Sequence, residues 1–185
     1  TICQAEALNT FHKIRSNMDK IFYSLYISEV VSNFGVEDDP CSNEVFDLLY
    51  RALEKIASAQ NKTEILLAVI KFQLKMMIIS GFGIELGSCL KCGCELKEDN
   101  MYFSSRLGGV ICAKCNEAYG IPVIMHHKLR DFLMALAQLD FDTKCDYEQK
   151  ATEKVCNVCF ELLKGYIDIH SPRKFNSTAI LQEVI

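Results

Sequence analysis

The sequence predicts a mainly α-helical protein, a helical bundle interrupted by a small inserted module. Two observations support this prediction. Apolar residues recur at helical spacing over most of the 185 residues, whereas cysteine and glycine concentrate between residues 86 and 120. We therefore divide the chain into a first helical part, residues 1–85, a cysteine module, residues 86–120, and a second helical part, residues 121–185.

The composition excludes several classes of protein. Half of the residues are hydrophobic, which excludes intrinsic disorder. The 20 basic and 24 acidic side chains give a net charge of −4, and none of the three parts carries a net positive charge. The most apolar stretch, Ile65 to Ile79, contains Lys71 and Lys75 and is too short to cross a membrane. The amino end has no pattern of a secretory leader, so we expect a cytoplasmic protein with reduced cysteines.

Helical periodicity predicts two helices at the start of the chain. The first begins at a Ser16 cap, with Asp19 three residues later, and runs to about Asn33. The second follows the turn-like residues 35–40, and its apolar face comprises Val45, Leu48, Leu49, Ala52, Leu53 and Ile56. This narrow apolar face predicts that the second helix buries one side against the rest of the protein and exposes the other to solvent.

A third helix is predicted to be the buried centre of the bundle. Asn61 and Glu64 form a capping-box pattern ahead of the stretch 65–79, which is apolar nearly all round. Its polar residues share one side of the helix and are Glu64, Lys71 and Lys75, in line with Ala68.

The rest of the chain is predicted to contain two short strands and two more helices. The strands are Met101 to Ser104 and Val110 to Ile111, both in the module. One helix runs from Leu129 to Leu139, and the other includes Val155 to Tyr166 after an Asp146 cap.

Two Cys-x-x-Cys pairs give the module its chemistry. Cys89 and Cys92 are followed, after 19 intervening residues, by Cys112 and Cys115, a spacing typical of four-cysteine zinc sites. Gly93 permits the tight turn that lets both thiolates of the first pair reach one ion. Four thiolates leave no open coordination position, so we predict one structural Zn²⁺ that holds together a four-cysteine zinc module, rather than free or redox-active thiols.

Three further cysteines are interpreted as bystander or core residues, and the histidines as ordinary surface or helix-start residues. Cys94 lies two residues from Cys92, a spacing that disfavours simultaneous ligation, so we expect a bystander. Cys156 and Cys159 fall within a helical apolar pattern, which favours buried core thiols over a thiol oxidoreductase. The four histidines and the acidic run 37–39 match no catalytic motif, and we predict that the protein is not an enzyme.

Taken together, these motifs resemble the RecO family of bacterial DNA repair proteins over nearly the whole chain. The module is the most specific part, with eight residues in the family's order: Cys89, Cys92, Gly93, Phe103, Gly108, Gly109, Cys112 and Cys115. Matches outside the module are Gln4-Ala5-Glu6, Phe11, Ile14, Arg15, Tyr26, Glu29, residues 46–49, residues 71–74, Gly81, Phe82, residues 173–175 and Ser177. The departures are Ile84 for a proline, Gln73 for a glutamate and the additional Cys94.

The resemblance implies a role in DNA repair and recombination. It implies a non-enzymatic recombination mediator of the RecFOR pathway that anneals DNA and helps to load RecA recombinase. Its implied partners are RecR, the carboxy-terminal tail of the single-stranded-DNA-binding protein, and single- and double-stranded DNA in the full-length protein. It also implies that the family's amino-terminal OB-fold is missing, that residues 1–10 are the remnant after it, and that the protein is associated with the bacterial nucleoid.

Two sets of residues are candidates for partner contacts. An acidic tail that ends in apolar residues needs a hydrophobic groove with a cationic rim. Lys71 and Lys75 are the candidates for this rim, with simple solvation of the helix face as the alternative. The rival function is a zinc-ribbon scaffold that binds DNA directly, through Arg106, Lys114, Lys128 and Arg130.

Overall fold

The computed structural model of the chain describes residues 9–35, 40–97, 99–121, 123–143, 146–149 and 151–177. Within these residues the fold is a helical bundle with one small antiparallel sheet, which confirms the predicted fold class. The matched segment Gln4-Ala5-Glu6 and the acidic run 37–39 lie outside the described residues.

Seven α-helices and three strands follow one another along the described part of the chain. They are α1 Met18–Phe34, α2 Ser42–Ser58, α3 Lys62–Ile79, β1 Asn100–Ser104, β2 Gly109–Ile111, α4 Ala113–Tyr119, β3 Ile124–His126, α5 His127–Gln138, α6 Asp146–Gln149 and α7 Glu153–His170. A short 3₁₀ helix, His12–Ser16, precedes α1. Among the described residues, no helix combines the length and the apolar character that a membrane span requires.

The third helix, α3, is the centre of the bundle, as predicted. Every residue from Ile65 to Leu74 is buried, and Asn61 caps the helix. α3 packs against α1, α2, α5 and α7. α2 covers one side of α3 and buries Leu48, Ala52 and Ile56, which are spaced four residues apart. A helix that is apolar all round is stable when its neighbours enclose it, so the other helices are arranged around α3.

Two helix starts differ from the prediction. Asn17 rather than Ser16 caps α1, because its side chain accepts a hydrogen bond from the N–H of Lys20 at 3.1 Å. Asp146 begins the short α6, and the last long helix begins after Thr152, whose side chain is the cap of α7. Ser16 and Asp146 are residue types that commonly cap helices. In each case a nearby residue of another capping type, Asn17 or Thr152, is the cap in the structure.

The sheet has the strand order β2-β1-β3. β1 and β2 correspond to the two predicted strands. β3 was missed, because three residues are too short to show the alternation that identifies a strand. Met101 of β1 lies opposite Met125 of β3, so the sheet continues beyond residue 120 and leads directly into α5.

The turn between β1 and β2 packs against Glu85, in the segment that leads into the module. Two adjacent glycines, Gly108 and Gly109, lie at this contact. The N–H of Glu85 donates to the Gly108 carbonyl at 2.9 Å, and the Glu85 carbonyl accepts from the N–H of Val110 at 3.1 Å. A Cβ atom at Gly109 would overlap the Glu85 carbonyl group. Gly108 has a φ of +81° and lies beside Tyr166 of α7. Close approach of two main chains and a left-handed turn therefore explain the adjacent glycines.

We predict that Gly109→Ala lowers the free energy of unfolding by about 1–3 kcal/mol, because the new methyl group must displace the main chain of Glu85. Gly165→Ala in α7 is the matched control. Among the described residues, a Cβ atom at Gly165 would meet nothing within 4 Å beyond its own helix, and alanine in a helix interior is favoured over glycine by about 0.5–1 kcal/mol. Urea denaturation followed by circular dichroism measures both; equal stability of the two variants would contradict the close approach at Gly109.

Candidate functional site

The structure brings five cysteine thiols of the module together. The Sγ atoms of Cys89, Cys92, Cys94 and Cys112 lie within 4.8 Å of one another. Cys115 lies beside this group and lines the same cavity as Cys92, Cys94 and Cys112. The group therefore contains the predicted ligands together with Cys94, which the spacing had set aside as a bystander.

A tight turn positions the first pair of cysteines and Cys94. The N–H of Gly93 donates to the Cys89 carbonyl at 2.8 Å, and the N–H of Cys89 donates to the Cys94 carbonyl at 3.0 Å. In an extended chain, the side chains of Cys92 and Cys94 would tend to share a face but without convergence on the Cys89 thiol. Gly93 has a φ of +70°, and this left-handed residue curls the chain so that all three thiols meet. The spacing alone gives no information about this dihedral angle.

The second pair lies at the amino end of α4. Cys112 is the residue that precedes the helix, and Cys115 is in its first turn. The N–H of Cys112 donates to the Cys89 sulfur at 3.3 Å, which links the two pairs. The sulfurs of Cys92 and Cys112 are 3.9 Å apart. Two thiolates of a tetrahedral zinc site, each about 2.3 Å from the ion, are about 3.8 Å apart. The measured separation fits such a site.

The donor set suits a metal ion that prefers sulfur and tetrahedral geometry. Thiolates in this geometry select Zn²⁺ or iron over calcium and magnesium, which prefer oxygen. Mutual distances below 4.8 Å suit a single ion, because a cluster with bridging sulfides would hold its cysteines farther apart. The cysteines can therefore hold one metal ion, and four thiolates would leave no position on it for a reacting water.

Hydrogen bonds within the group change the acidity of its thiols. Burial by itself would raise the pKa of Cys89, but the N–H groups of Cys112, Cys92 and Lys91 donate to its sulfur and lower the pKa to about 6. Hydrogen bonding with Cys92 raises the pKa of both Cys94 and Cys115 to about 12. Because a thiol must lose its proton to bind a metal ion, ion binding releases protons and weakens as the pH falls.

The third Cys-x-x-Cys lies in the core, as predicted. Cys156 and Cys159 are fully buried on the inner face of α7. Burial raises the pKa of Cys156 to about 11 and that of Cys159 to about 12. A redox-active cysteine needs an accessible thiolate, so these two residues lack the properties of a thiol oxidoreductase.

Lys71 lies inside the protein, which differs from both roles expected for it, a cationic rim and a solvated helix face. Its side chain is 4% exposed, and its Nζ lies 2.7 Å from the Glu148 carboxylate of α6. It also donates to the carbonyl oxygens of Asp140 and Thr143, each at 3.1 Å. Described residues of the connection between α5 and α7 pack over the polar side of α3. The periodicity of α3 by itself gives no information about this packing.

Lys75, one turn further along α3, remains partly accessible. Its side chain is 23% exposed, and its Nζ lies 3.5 Å from a carboxylate oxygen of Asp140. Lys75 and Arg51 line a groove of about 420 Å³ whose apolar surface is formed by Leu48, Ile78, Ile79, Ala137 and Phe141. The groove also carries three carboxylates, those of Glu44, Asp47 and Asp140. We call it the α2–α3 groove.

The four basic residues considered for direct DNA contact are not equivalent. Arg106 in the β1–β2 turn, Lys114 of α4 and Lys128 of α5 are at least partly exposed. The Arg130 side chain is 17% exposed, pairs with the neighbouring aspartate and donates to the Leu96 carbonyl at 3.0 Å. Arg130 therefore fastens α5 to the module, and its charge is already engaged.

The two adjacent histidines are helix-start residues, as predicted. His126 caps α5 by accepting a hydrogen bond at Nδ1 from the N–H of Lys128 at 3.2 Å. The N–H of His127 donates to the Asp99 carbonyl at 2.8 Å. Both contacts tie the start of α5 to its surroundings.

Several of the matched residues outside the module meet in the fold. The Glu29 carboxylate accepts hydrogen bonds from the N–H groups of Asn176 and Ser177 at 2.7 and 2.8 Å. These bonds outweigh the effect of burial and lower the pKa of Glu29. The rings of Tyr26 and Phe175 are 5.9 Å apart. The matched residues Phe175 and Ser177 are thus anchored on α1, a long-range contact that spacing along the sequence could not reveal.

Comparison with known proteins gives a consistent result. The model of the family described as "Recombination protein O C terminal" matches residues 15–179. A DNA repair protein RecO of Alkaliphilus metalliredigens is 29% identical over 188 residues, which cover 100% of this chain and 73% of that protein. The RecO of Desulforamulus reducens is 28% identical and covers 99% of this chain and 69% of its own length. That of Caldanaerobacter subterraneus is 29% identical, with 95% and 68% covered.

We predict that Lys71→Met lowers the free energy of unfolding by about 3–5 kcal/mol, because it leaves the Glu148 carboxylate buried without a counter-charge. Combining it with Glu148→Leu should restore most of the loss, since the double variant buries no charge. Lys75→Met, four residues along the same line, should change stability by less than about 0.5 kcal/mol. Urea unfolding measures all three, and a Lys71→Met variant as stable as Lys75→Met would refute the structural role of Lys71.

Proposed function

This chain belongs to the RecO family of DNA repair proteins, and we propose that it is the helical and metal-binding part of a recombination mediator. The family match over residues 15–179 is the observation that supports this proposal. The names of the relatives describe DNA repair and no chemical reaction. The proposed role is accordingly non-enzymatic: the protein works with RecR in DNA annealing and RecA loading, in the nucleoid of the bacterial cytoplasm.

The contribution we propose for the bundle is recognition of the carboxy-terminal tail of the single-stranded-DNA-binding protein. The α2–α3 groove supports this role, since its apolar surface can take the apolar end of such a tail. The contact of Lys75 with Asp140, whose side chain is 75% exposed, is a surface ion pair of about 0–1 kcal/mol. A tail carboxylate can replace Asp140 as the partner of Lys75, and Arg51 supplies a second cation.

A protein partner suits this chain better than direct DNA binding does. Phosphate contacts dominate the affinity for nucleic acid, and the net charge of the chain is −4. The rival scaffold function keeps three accessible candidates, Arg106, Lys114 and Lys128. A steep salt dependence of DNA binding by this chain would favour the rival.

For the module we propose one structural Zn²⁺ held by cysteine thiolates. Support comes from the 3.9 Å separation of two of the sulfurs and from the N–H groups that donate to Cys89. The ion would hold together the turn at Cys89 and Cys92 and the amino end of α4. Its contribution is to the stability of the module.

Binding of the single-stranded-DNA-binding protein's tail can be measured by titrating a fluorescently labelled tail peptide into the chain. We expect Lys75→Glu to weaken this binding about tenfold or more, because the reversed charge repels the tail carboxylates. Lys97→Glu is the matched control, since this lysine lies in the module and its side chain is 79% exposed. We expect it to bind like the unchanged chain, and a scrambled peptide should not bind. Equal affinity of the Lys75→Glu and Lys97→Glu variants would exclude the α2–α3 groove as the tail site.

Metal analysis of the purified chain should find one Zn²⁺ per molecule. Removal of the ion with a chelator should lower the midpoint of thermal unfolding by about 5 °C or more, because ion binding is part of the folding free energy. Cys41→Ser, outside the module, should keep the ion and serves as the control. Absence of metal from freshly purified protein, with no uptake of added Zn²⁺, would refute the proposed site.

A further inference from the structure

The module offers five thiols for an ion that takes four. The inference from this surplus rests on the metal site proposed above, and it concerns which thiols complete that site. The separation of Cys94 from Cys92 by a single residue made it unattractive as a ligand. The structure nevertheless places its sulfur within 4.8 Å of those of Cys89, Cys92 and Cys112.

Three of the five thiols have fixed positions. Cys89 lies in the turn that the bond from its own N–H to the Cys94 carbonyl closes, and the Cys92 and Cys112 sulfurs are 3.9 Å apart. The bond from the N–H of Cys112 to Cys89 joins both halves of the site at 3.3 Å. Cys89, Cys92 and Cys112 therefore form one face of a tetrahedron, and one vertex is left.

Cys94 and Cys115 both lie at this vertex. Both line one cavity together with Cys92 and Cys112. They belong to separate elements, Cys94 to the turn closed by the hydrogen bond from the N–H of Cys89 and Cys115 to α4.

The site is open to solvent on the side of these two thiols. A cavity of about 530 Å³ is lined by Cys92, Cys94, Cys112 and Cys115, with the charged side chains of Glu95, Lys97 and Lys114. The cavity gives water access for the proton transfer that ligand exchange requires. Lys97 is paired with Glu95 at 3.1 Å, and the ammonium group of Lys114 favours the excess negative charge of four thiolates around a divalent ion.

We propose that Cys94 and Cys115 are alternative fourth ligands of one tetrahedral metal ion, with Cys89, Cys92 and Cys112 as its constant ligands. In the exchange, the bond from the ion to one sulfur breaks as the bond to the other forms. The proton of the incoming thiol passes through water to the departing thiolate, so that charge and protons balance. The site thereby keeps four thiolates when either Cys94 or Cys115 is lost or chemically blocked.

Cobalt substitution of the full 185-residue chain tests this proposal, because the sulfur-to-cobalt charge-transfer absorption reports the number of bound thiolates. The variants are Cys94→Ser, Cys115→Ser and the double variant, with Cys41→Ser as a control outside the module. We expect each single variant to bind one Co²⁺ with a four-thiolate spectrum and to lose less than about tenfold in affinity. The double variant should show three thiolates and lose about a hundredfold or more, a non-additive result.

Alkylation of the zinc-loaded protein provides a second measurement. With iodoacetamide and peptide mass spectrometry, we expect about one alkyl group among the five cysteines of the module, distributed between Cys94 and Cys115, with the bound zinc retained. Circular dichroism of the helices verifies that each variant is folded, since the buried bundle does not depend on these two thiols.

The outcomes separate this inference from the proposed function. A three-thiolate spectrum for Cys115→Ser with no effect of Cys94→Ser would show that Cys94 is a bystander and overturn the inference alone. The reverse result would make Cys115 the bystander and overturn it equally. Failure of the unchanged chain to bind any Co²⁺ or Zn²⁺ would overturn both the inference and the proposed metal site.

Discussion

The burial of α3 is the constraint on which the rest of the structure depends. Its residues from Ile65 to Leu74 are all buried, so that α1, α2, α5 and α7 must enclose it. Two of these helices come before the module and its flanking strand in the chain and two after them. The helices that follow the module therefore pack against the same central helix as the helices that precede it. Along the chain, the module lies between these two groups of helices.

Lys71 adds a second requirement to this arrangement. A buried ammonium group is costly unless it is paired and fully hydrogen-bonded. Its partners Asp140, Thr143 and Glu148 all come from the connection between α5 and α7. The charge on α3 thus holds described residues of this connection against the bundle. The same connection supplies Asp140 and Phe141 to the α2–α3 groove. One segment therefore both pairs with the buried charge of Lys71 and lines the proposed partner site.

The module is joined to the bundle by contacts that need no metal ion. The His170 ring of α7 lies 2.9 Å from the Ser105 carbonyl oxygen, and the rings of Tyr166 and Phe103 are 6.4 Å apart. Arg130 binds the Leu96 carbonyl, and Glu85 binds the β1–β2 turn. The sheet end of the module thus rests on the bundle, while the cysteine end has less support of this kind among the described residues. A structural ion at the thiols would stabilise the end that has fewer of these contacts.

The helical architecture, the central position of α3, the strands β1 and β2, the two thiol pairs and the family could all be predicted from the amino-acid sequence. These features depend on residue types at short, regular spacings, which report local faces and local turns. The burial of Lys71, the engagement of Arg130, the strand β3 and the place of Cys94 became apparent only in the folded chain. The partners of Lys71 lie about 70 residues away along the chain, and Cys94 joins the thiols through the φ angle of Gly93. Contacts between distant segments and single main-chain dihedral angles leave no periodic pattern in a sequence, because they are set by how the elements pack.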